Sequence, residues 1–356
     1  MDTIPAFKLY ANCVPVKGHS RSTICDLQRN KVHLIPNGLY DILVEFQGRT
    51  LHEIKENFNH EYDEVLDEYF DFLKQEDLIF HTHAPEWFPE LEKKWSYPFE
   101  VKSCIIDIDQ NCALDFPNIV DQLNDLNCKY LQIRCYSTFP LSFFVAILNE
   151  TKGTTITSID LILKFSEEVS EHEWGILCDS YKQITGLSIH SSPIQKENAT
   201  NEFDVPIIFS TKQIHNETCC GVINEGYFVA HTDNFMESLQ YNSCLNRKIS
   251  IDRHGYIKNC PSMQLAFGNI ATKTLQQALS ENDFKKFWNI NKDTVEVCQD
   301  CEFRHVCTDC RAYIDNPHEQ QSKPLKCGYD PYNCKWEEWS NHPLKMDAIN
   351  YYQIEH

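Results

Sequence analysis

Between residues 298 and 313 the chain reads CQDCEFRHVCTDCRAY, with cysteines at 298, 301, 307 and 310. A C-x2-C pair lets two thiolates converge on one metal centre from a tight turn, with backbone N–H groups aimed at the sulfurs. Here two such pairs stand five residues apart. Cys244 and Cys260 precede them as C-x10-G-x4-C around Gly255, and Cys327 and Cys334 follow. Together Cys244, Cys260, Cys298, Cys301, Cys307, Cys310, Cys327 and Cys334 are enough thiols for two four-ligand sites. Zinc and iron–sulfur clusters both use four thiolates, so spacing alone leaves that choice open. The scattered Cys104, Cys112, Cys128, Cys135 and Cys178 read instead as small buried hydrophobes.

The setting favours ligation over disulfides. The chain has 356 residues and 17 cysteines, an odd number. Its start, MDTIPAFKLY, lacks a basic n-region and an apolar stretch, and no apolar run is long enough to span a bilayer. The expectation is therefore a cytoplasmic protein with no membrane partner and reduced thiols. The net charge of −20 removes the basic surface that non-specific nucleic-acid binding needs, so no nucleic-acid partner is expected.

Three segments would position the thiols, and together they predict an α/β protein. In the first, residues 1–95, a strand over 32–35 and a turn at Pro36-Asn37-Gly38 precede a helix with Leu39, Ile42, Leu43 and Phe46 on one face. Thr50 and Glu53 form a capping-box pattern for a second helix. A third carries Val65, Leu66, Tyr69, Phe72 and Leu73 before a strand at 78–80. A strand hairpin with three short helices is a winged-helix pattern, and the proline-containing stretch after it reads as a linker. In the second segment, 100–238, apolar runs at 104–109, 130–136, 156–165, 186–192 and 205–211 alternate with amphipathic stretches. That is a βα repeat, forming an open sheet or a partial barrel. In the third, 240–345, a strand-turn-strand around Gly255 and a helix over 272–289 lead into the cysteine array.

The pattern C-x10-G-x4-C, C-x2-C-x5-C-x2-C and a further Cys resembles the SPASM domain, an auxiliary-cluster module of radical S-adenosylmethionine peptide-modifying enzymes. One spacing departs from that family: x2 stands where it has x3 before Cys310. DRHGYIKNCPSMQLAFGNI also looks like the SPASM stretch that precedes its helix. The resemblance implies one [4Fe–4S] cluster on Cys298, Cys301, Cys307 and Cys327. It implies a second on Cys244, Cys260 and Cys310, with Cys334, Cys219 or Cys220 as the fourth ligand; zinc is the alternative metal. The βα segment then resembles the radical-enzyme barrel. The C-x3-C-x2-C motif which that chemistry needs occurs nowhere in the chain, so S-adenosylmethionine is not expected.

The first segment resembles the PqqD-like precursor-recognition element of ribosomal peptide pathways. This implies peptide binding along the strand at 31–35 and on the third helix, through Val32, Leu34, Leu66, Tyr69 and Leu73, by addition of a strand to a sheet edge. With NCVPVKGHSRSTICDLQRNK near the start and KPLKCGYDPY near the end, the whole chain is similar to the SPASM-domain maturases of grasp-with-spasm systems. That implies a ribosomal precursor peptide and an ATP-grasp ligase as partners, the ligase forming side-chain ester or amide links. Two other functions remain open. One is a catalyst proper, as an auxiliary-cluster redox enzyme or through strand-end carboxylates such as Asp107 and Asp109. The other is a zinc-stapled peptide-binding scaffold.

Overall fold

The computed structural model describes residues 4–198 and 205–354. The chain opens with β1 (Ala6–Leu9), β2 (Cys13–Val16), β3 (Ser22–Asp26) and β4 (Lys31–Ile35). Helices α1 (Asn37–Glu45), α2 (Leu51–Asn57) and α3 (Asp63–Gln75) follow, and then β5 (Ile79–Thr82). Strands β2, β3 and β4 form an antiparallel sheet with β4 at its edge, while β5 pairs with β1. The faces expected of α1 and α2 turn inward, while on α3 Val65 stays exposed. Leu39, Ile42, Leu43, Ile54, Phe70 and Leu73 share one core with Phe7 and Ile24. Thr50 and Glu53 make the full capping box, so α2 starts where its side chains satisfy two free backbone donors. Three strands before residue 31 escaped the sequence reading, because runs of four or five residues carry too little periodicity.

The stretch after β5 is largely irregular and exposed, but it is anchored at one point. Trp95 is buried and donates from Nε1 to Oδ1 of Asp233 at 2.8 Å.

The middle of the chain alternates as the βα reading requires: β6 (Ser103–Ile108), α4 (Phe116–Asp125), β7 (Tyr130–Cys135), α5 (Leu141–Glu150), β8 (Ser158–Lys164), α6 (Glu171–Ser180) and β9 (Ile184–His190). Next come β10 (Lys196–Asn198), β11 (Ile207–Phe209), α7 (Thr232–Ser238), β12 (Lys248–Ile251) and β13 (Ile257–Lys258). The eight strands β6 to β13 join one sheet in the order β10-β11-β9-β8-β7-β6-β12-β13, parallel except for its two antiparallel edges. This is a mixed α/β fold with a mainly parallel sheet. The sheet also crosses the expected boundary near residue 240, because β12 pairs directly with β6.

Side chains alternate across each strand, and here the alternation separates two kinds of face. Ile106, Ile108, Leu131, Ile133, Leu161 and Leu163 pack in the core shared with the helices. Asp107, Gln132, Arg134, Asp160 and His190 occupy the opposite face. Apolar burial therefore holds the helical layer, and the polar face is left for the cysteine-rich part of the chain to cover.

That last part contains α8 (Leu275–Leu279), β14 (Tyr329–Asp330), β15 (Lys335–Trp336) and α9 (Met346–Tyr351). The helix expected over 272–289 shrinks to α8. The Ser280 hydroxyl bonds back to the Gln276 carbonyl at 2.8 Å where the helix ends, and turns follow. Gly255, at φ +81°, makes the β12–β13 turn, a conformation side chains with a Cβ avoid. Among the described residues, no helix is long and apolar enough to cross a membrane.

Candidate metal centre

The thiols fall into two groups, one of four and one of five. Cys298, Cys301, Cys307 and Cys327 border one narrow space of about 20 Å3, together with Lys292. Cys220, Cys244, Cys260 and Cys310 border a second cavity of about 420 Å3, with Cys219 beside them.

The first group is built by a strained turn. Val297 sits at φ +63°, ψ −41°, where a β-branched residue is an outlier, and it immediately precedes Cys298. A single 3-10 turn, Cys298–Asp300, then brings Cys301 back towards Cys298. Phe303 N–H points at the Cys301 sulfur at 3.4 Å, the backbone-to-sulfur geometry expected of a ligand turn. Lys345 donates from Nζ to the carbonyl of Cys327 at 2.9 Å and so holds the distant fourth thiol in place. Burial pushes the Cys298 thiol up to about 12, against the pull of Lys292, and the Cys327 charge adds to the rise. Burial likewise raises the Cys301 and Cys307 thiols. Four such sulfurs cannot all ionise here without a positive centre to compensate them.

The second group draws on three separate stretches. Cys244 precedes β12, Cys260 follows β13, and Cys310 lies three residues beyond Cys307. Cys220 comes from the loop that covers the polar face of the sheet. Its neighbour Ile223 forms a parallel bridge with Cys327, with Ile223 N–H donating to the Lys326 carbonyl at 3.1 Å. Gly221 is at φ +86°, and a Cβ there would lie 2.8 Å from the Cys310 sulfur, so only glycine lets this loop pass. Burial, then Cys220 and Cys244, push the Cys260 thiol up to about 11. Burial, then Cys244, Cys220 and Cys260, raise Cys310.

Those mutual interactions distinguish the candidates for a fourth ligand. Cys220 acts on both Cys260 and Cys310. Cys219 borders the cavity, but beyond burial its strongest neighbour is Arg134. Cys334 borders neither space; it lies at φ +55° beside β15, 3.9 Å from the Pro331 carbonyl. Seven of the eight predicted thiols thus border the two spaces, and Cys334 does not.

Cysteine thiols are donors that zinc and iron–sulfur clusters share. Among the described residues, no three His, Cys, Asp or Glu side chains converge closely enough for one metal ion.

The other candidate residues divide less favourably. Asp107 is no free carboxylate: Arg134 donates to it from Nε at 2.6 Å and from the terminal nitrogen at 2.8 Å, and the Tyr136 hydroxyl donates at 2.6 Å. All three residues are buried, so Asp107 is a structural anion and not an available base. Asp109 lies 3.8 Å from Arg253. The loop after β6 carries one cysteine, Cys112.

Of the expected peptide contacts, Leu34 is exposed and Val32 and Tyr69 are half-buried. Leu66 and Leu73 are core residues, with 2% and 0% exposure, so they are withdrawn from any peptide surface. The apolar stripe of α3 nearest the surface is Val65, which is exposed, with Tyr69 and Phe72 half-buried. It lies next to β4, where the His33 and Phe72 rings meet edge to face.

Residues 243–302 match the SPASM family model, described as an iron–sulfur cluster-binding domain. The match takes in Cys244, Cys260, Cys298 and Cys301, that is, two thiols from each group. No curated protein matches the chain at a significant level. Among solved structures, SuiB from Streptococcus suis bound to precursor peptide SuiA aligns with TM-score 0.39 and 10% identity, covering 89% of this chain and 98% of that one. Native anSMEcpe with bound AdoMet aligns with TM-score 0.39 and 11% identity, covering 70% and 99%. At these scores the structural likenesses carry no weight for what this chain does.

Proposed function

We propose that this protein matures a ribosomally made peptide as a recognition and presentation subunit, with two [4Fe–4S] clusters built into its C-terminal part. The observation that carries the reading is the gathering of nine thiols around two spaces, four of those thiols inside the SPASM match. Cys298, Cys301, Cys307 and Cys327 would hold one cluster, and Cys220, Cys244, Cys260 and Cys310 the other. Such clusters supply one-electron chemistry when bound.

The chain's own residues define the rest. In this reading residues 1–95 are a winged-helix recognition element, 100–238 a partial barrel, and 240–345 the cluster domain. The outer edge of β4 offers unpaired backbone groups to an added strand, and Leu34, Val65, Tyr69 and Phe72 flank it as side-chain contacts. The sheet end that would hold a radical-generating centre carries one cysteine on its loop and a closed Asp107–Arg134–Tyr136 network. An ATP-grasp ligase that forms ester or amide links would therefore act on the presented peptide.

The test mixes precursor, ligase and ATP with and without this protein, and follows peptide mass. Loss of water only with all components supports presentation. A mass change without ligase assigns the chemistry to this chain and refutes the reading.

A further inference from the structure

Each group of thiols has a lysine aimed at it. Lys292, only 4% exposed, contacts the Cys307 sulfur through Nζ. Lys248, half-buried at the start of β12, points Nζ at the Cys244 sulfur from 3.5 Å. Among the described residues, neither ammonium has a carboxylate or any other hydrogen-bond partner.

Other enclosed lysines in the chain show what is usual. Lys345 is met by Asp315 at 3.1 Å and by two carbonyls. Lys326 donates to the carbonyls of Thr218 and Cys220 and lies over the rings of Tyr313 and Trp339. A buried cation is costly unless paired, and for Lys292 and Lys248 the pairing atom is sulfur.

Resting on the two-cluster reading, we infer that Lys292 and Lys248 are dedicated charge partners, one for each cluster, that set its reduction potential. Neither is a ligand: each cluster already has four thiolates. A four-iron core with four thiolates carries net negative charge in both of its usual states, and reduction adds one more. A fixed ammonium beside a ligating sulfur favours the more negative, reduced form and so raises the potential. The narrow space in the first group requires the Lys292 head to draw back as a cluster enters. Its flexible four-carbon stem allows this while the charge stays beside the sulfurs.

The experiment is an EPR-monitored redox titration of the anaerobically purified protein, with iron and sulfide counted first. Iron and sulfide in the unaltered chain test the cluster reading itself, separately from the lysines. Lys292→Gln should lower the potential of one cluster and Lys248→Gln that of the other. Each should change the oxidised-to-reduced ratio at fixed poise about tenfold, equivalent to about 59 mV for a one-electron couple. Unchanged potentials with full iron would overturn the inference, as would equal shifts of both clusters in each variant. Where a Gln variant loses its cluster, the matching Lys→Arg variant keeps the charge. Recovery of the cluster near the original potential supports the inference, and failure to recover it refutes a charge role.

Discussion

Arg21 donates from Nε to Oε1 of Glu302 at 2.6 Å, joining the N-terminal sheet to the residue immediately after Cys301. Glu302 is wholly buried in its side chain, and its backbone carbonyl also accepts from the Thr23 hydroxyl at 2.9 Å. Val14, Val16, Cys25 and Leu27 from that sheet share a core with Phe303, Val306, Cys307 and Cys327. The candidate peptide-binding sheet and the first thiol group are therefore packed as one body.

Cutting that link should be felt on both sides. Arg21→Ala leaves Glu302 buried with Tyr329 as its remaining side-chain donor, at a cost of about 2 kcal/mol. Urea unfolding measures the loss. Hydrogen exchange should rise both in β3 and around Cys301, whereas a rise confined to β3 would mean the two parts are not mechanically joined.

The identity of the eighth ligand is checked by counting metal. Cys220→Ala should bring iron per chain down by about half, while Cys219→Ala and Cys334→Ala should leave it near the unaltered value. Equal losses from Cys219→Ala would move the ligand by one residue and refute the assignment made from Gly221 and Cys310.

Helix α3 offers a control on the peptide surface. Leu66→Ala should cost about 3 kcal/mol, because it empties a core position. Val65→Glu should change stability by about 0.5 kcal/mol or less, since Val65 is exposed, yet abolish precursor binding measured by calorimetry. Undiminished binding by Val65→Glu would remove α3 from the recognition surface.

His190 predicts a pH dependence. Its Nε2–H donates to the Cys135 carbonyl at 2.8 Å, and the ring is buried. Burial holds its pKa below the ordinary value of 6.5, against the opposing pull of that hydrogen bond. The unfolded chain then takes up the proton first, and stability falls as pH drops below about 6.5. His190→Gln, which keeps a donor, should flatten that slope in denaturation curves taken between about pH 7 and 5.

What the sequence made legible follows from which signals are local. The strands β6 to β9 are runs of branched apolar residues long enough to stand out, and the 298–310 cysteines are close in sequence because a ligand turn requires it. The pairing of β12 with β6, the Asp107–Arg134 ion pair and the place of Cys220 all join residues far apart in the chain. No spacing rule reports these. The error at Leu66 of α3 has a different cause. Leu66 and Val65 are equally apolar, and only the packing against Phe7 and Ile24 decides which of them turns inward.

The account stands or falls on what the eight thiols hold. Iron, acid-labile sulfide and zinc should be measured per chain after anaerobic purification. About eight irons with matching sulfide, falling by half in Cys301→Ala and again by half in Cys220→Ala, is the predicted result. Zinc without sulfide would contradict it and would make the cysteine-rich region a structural staple.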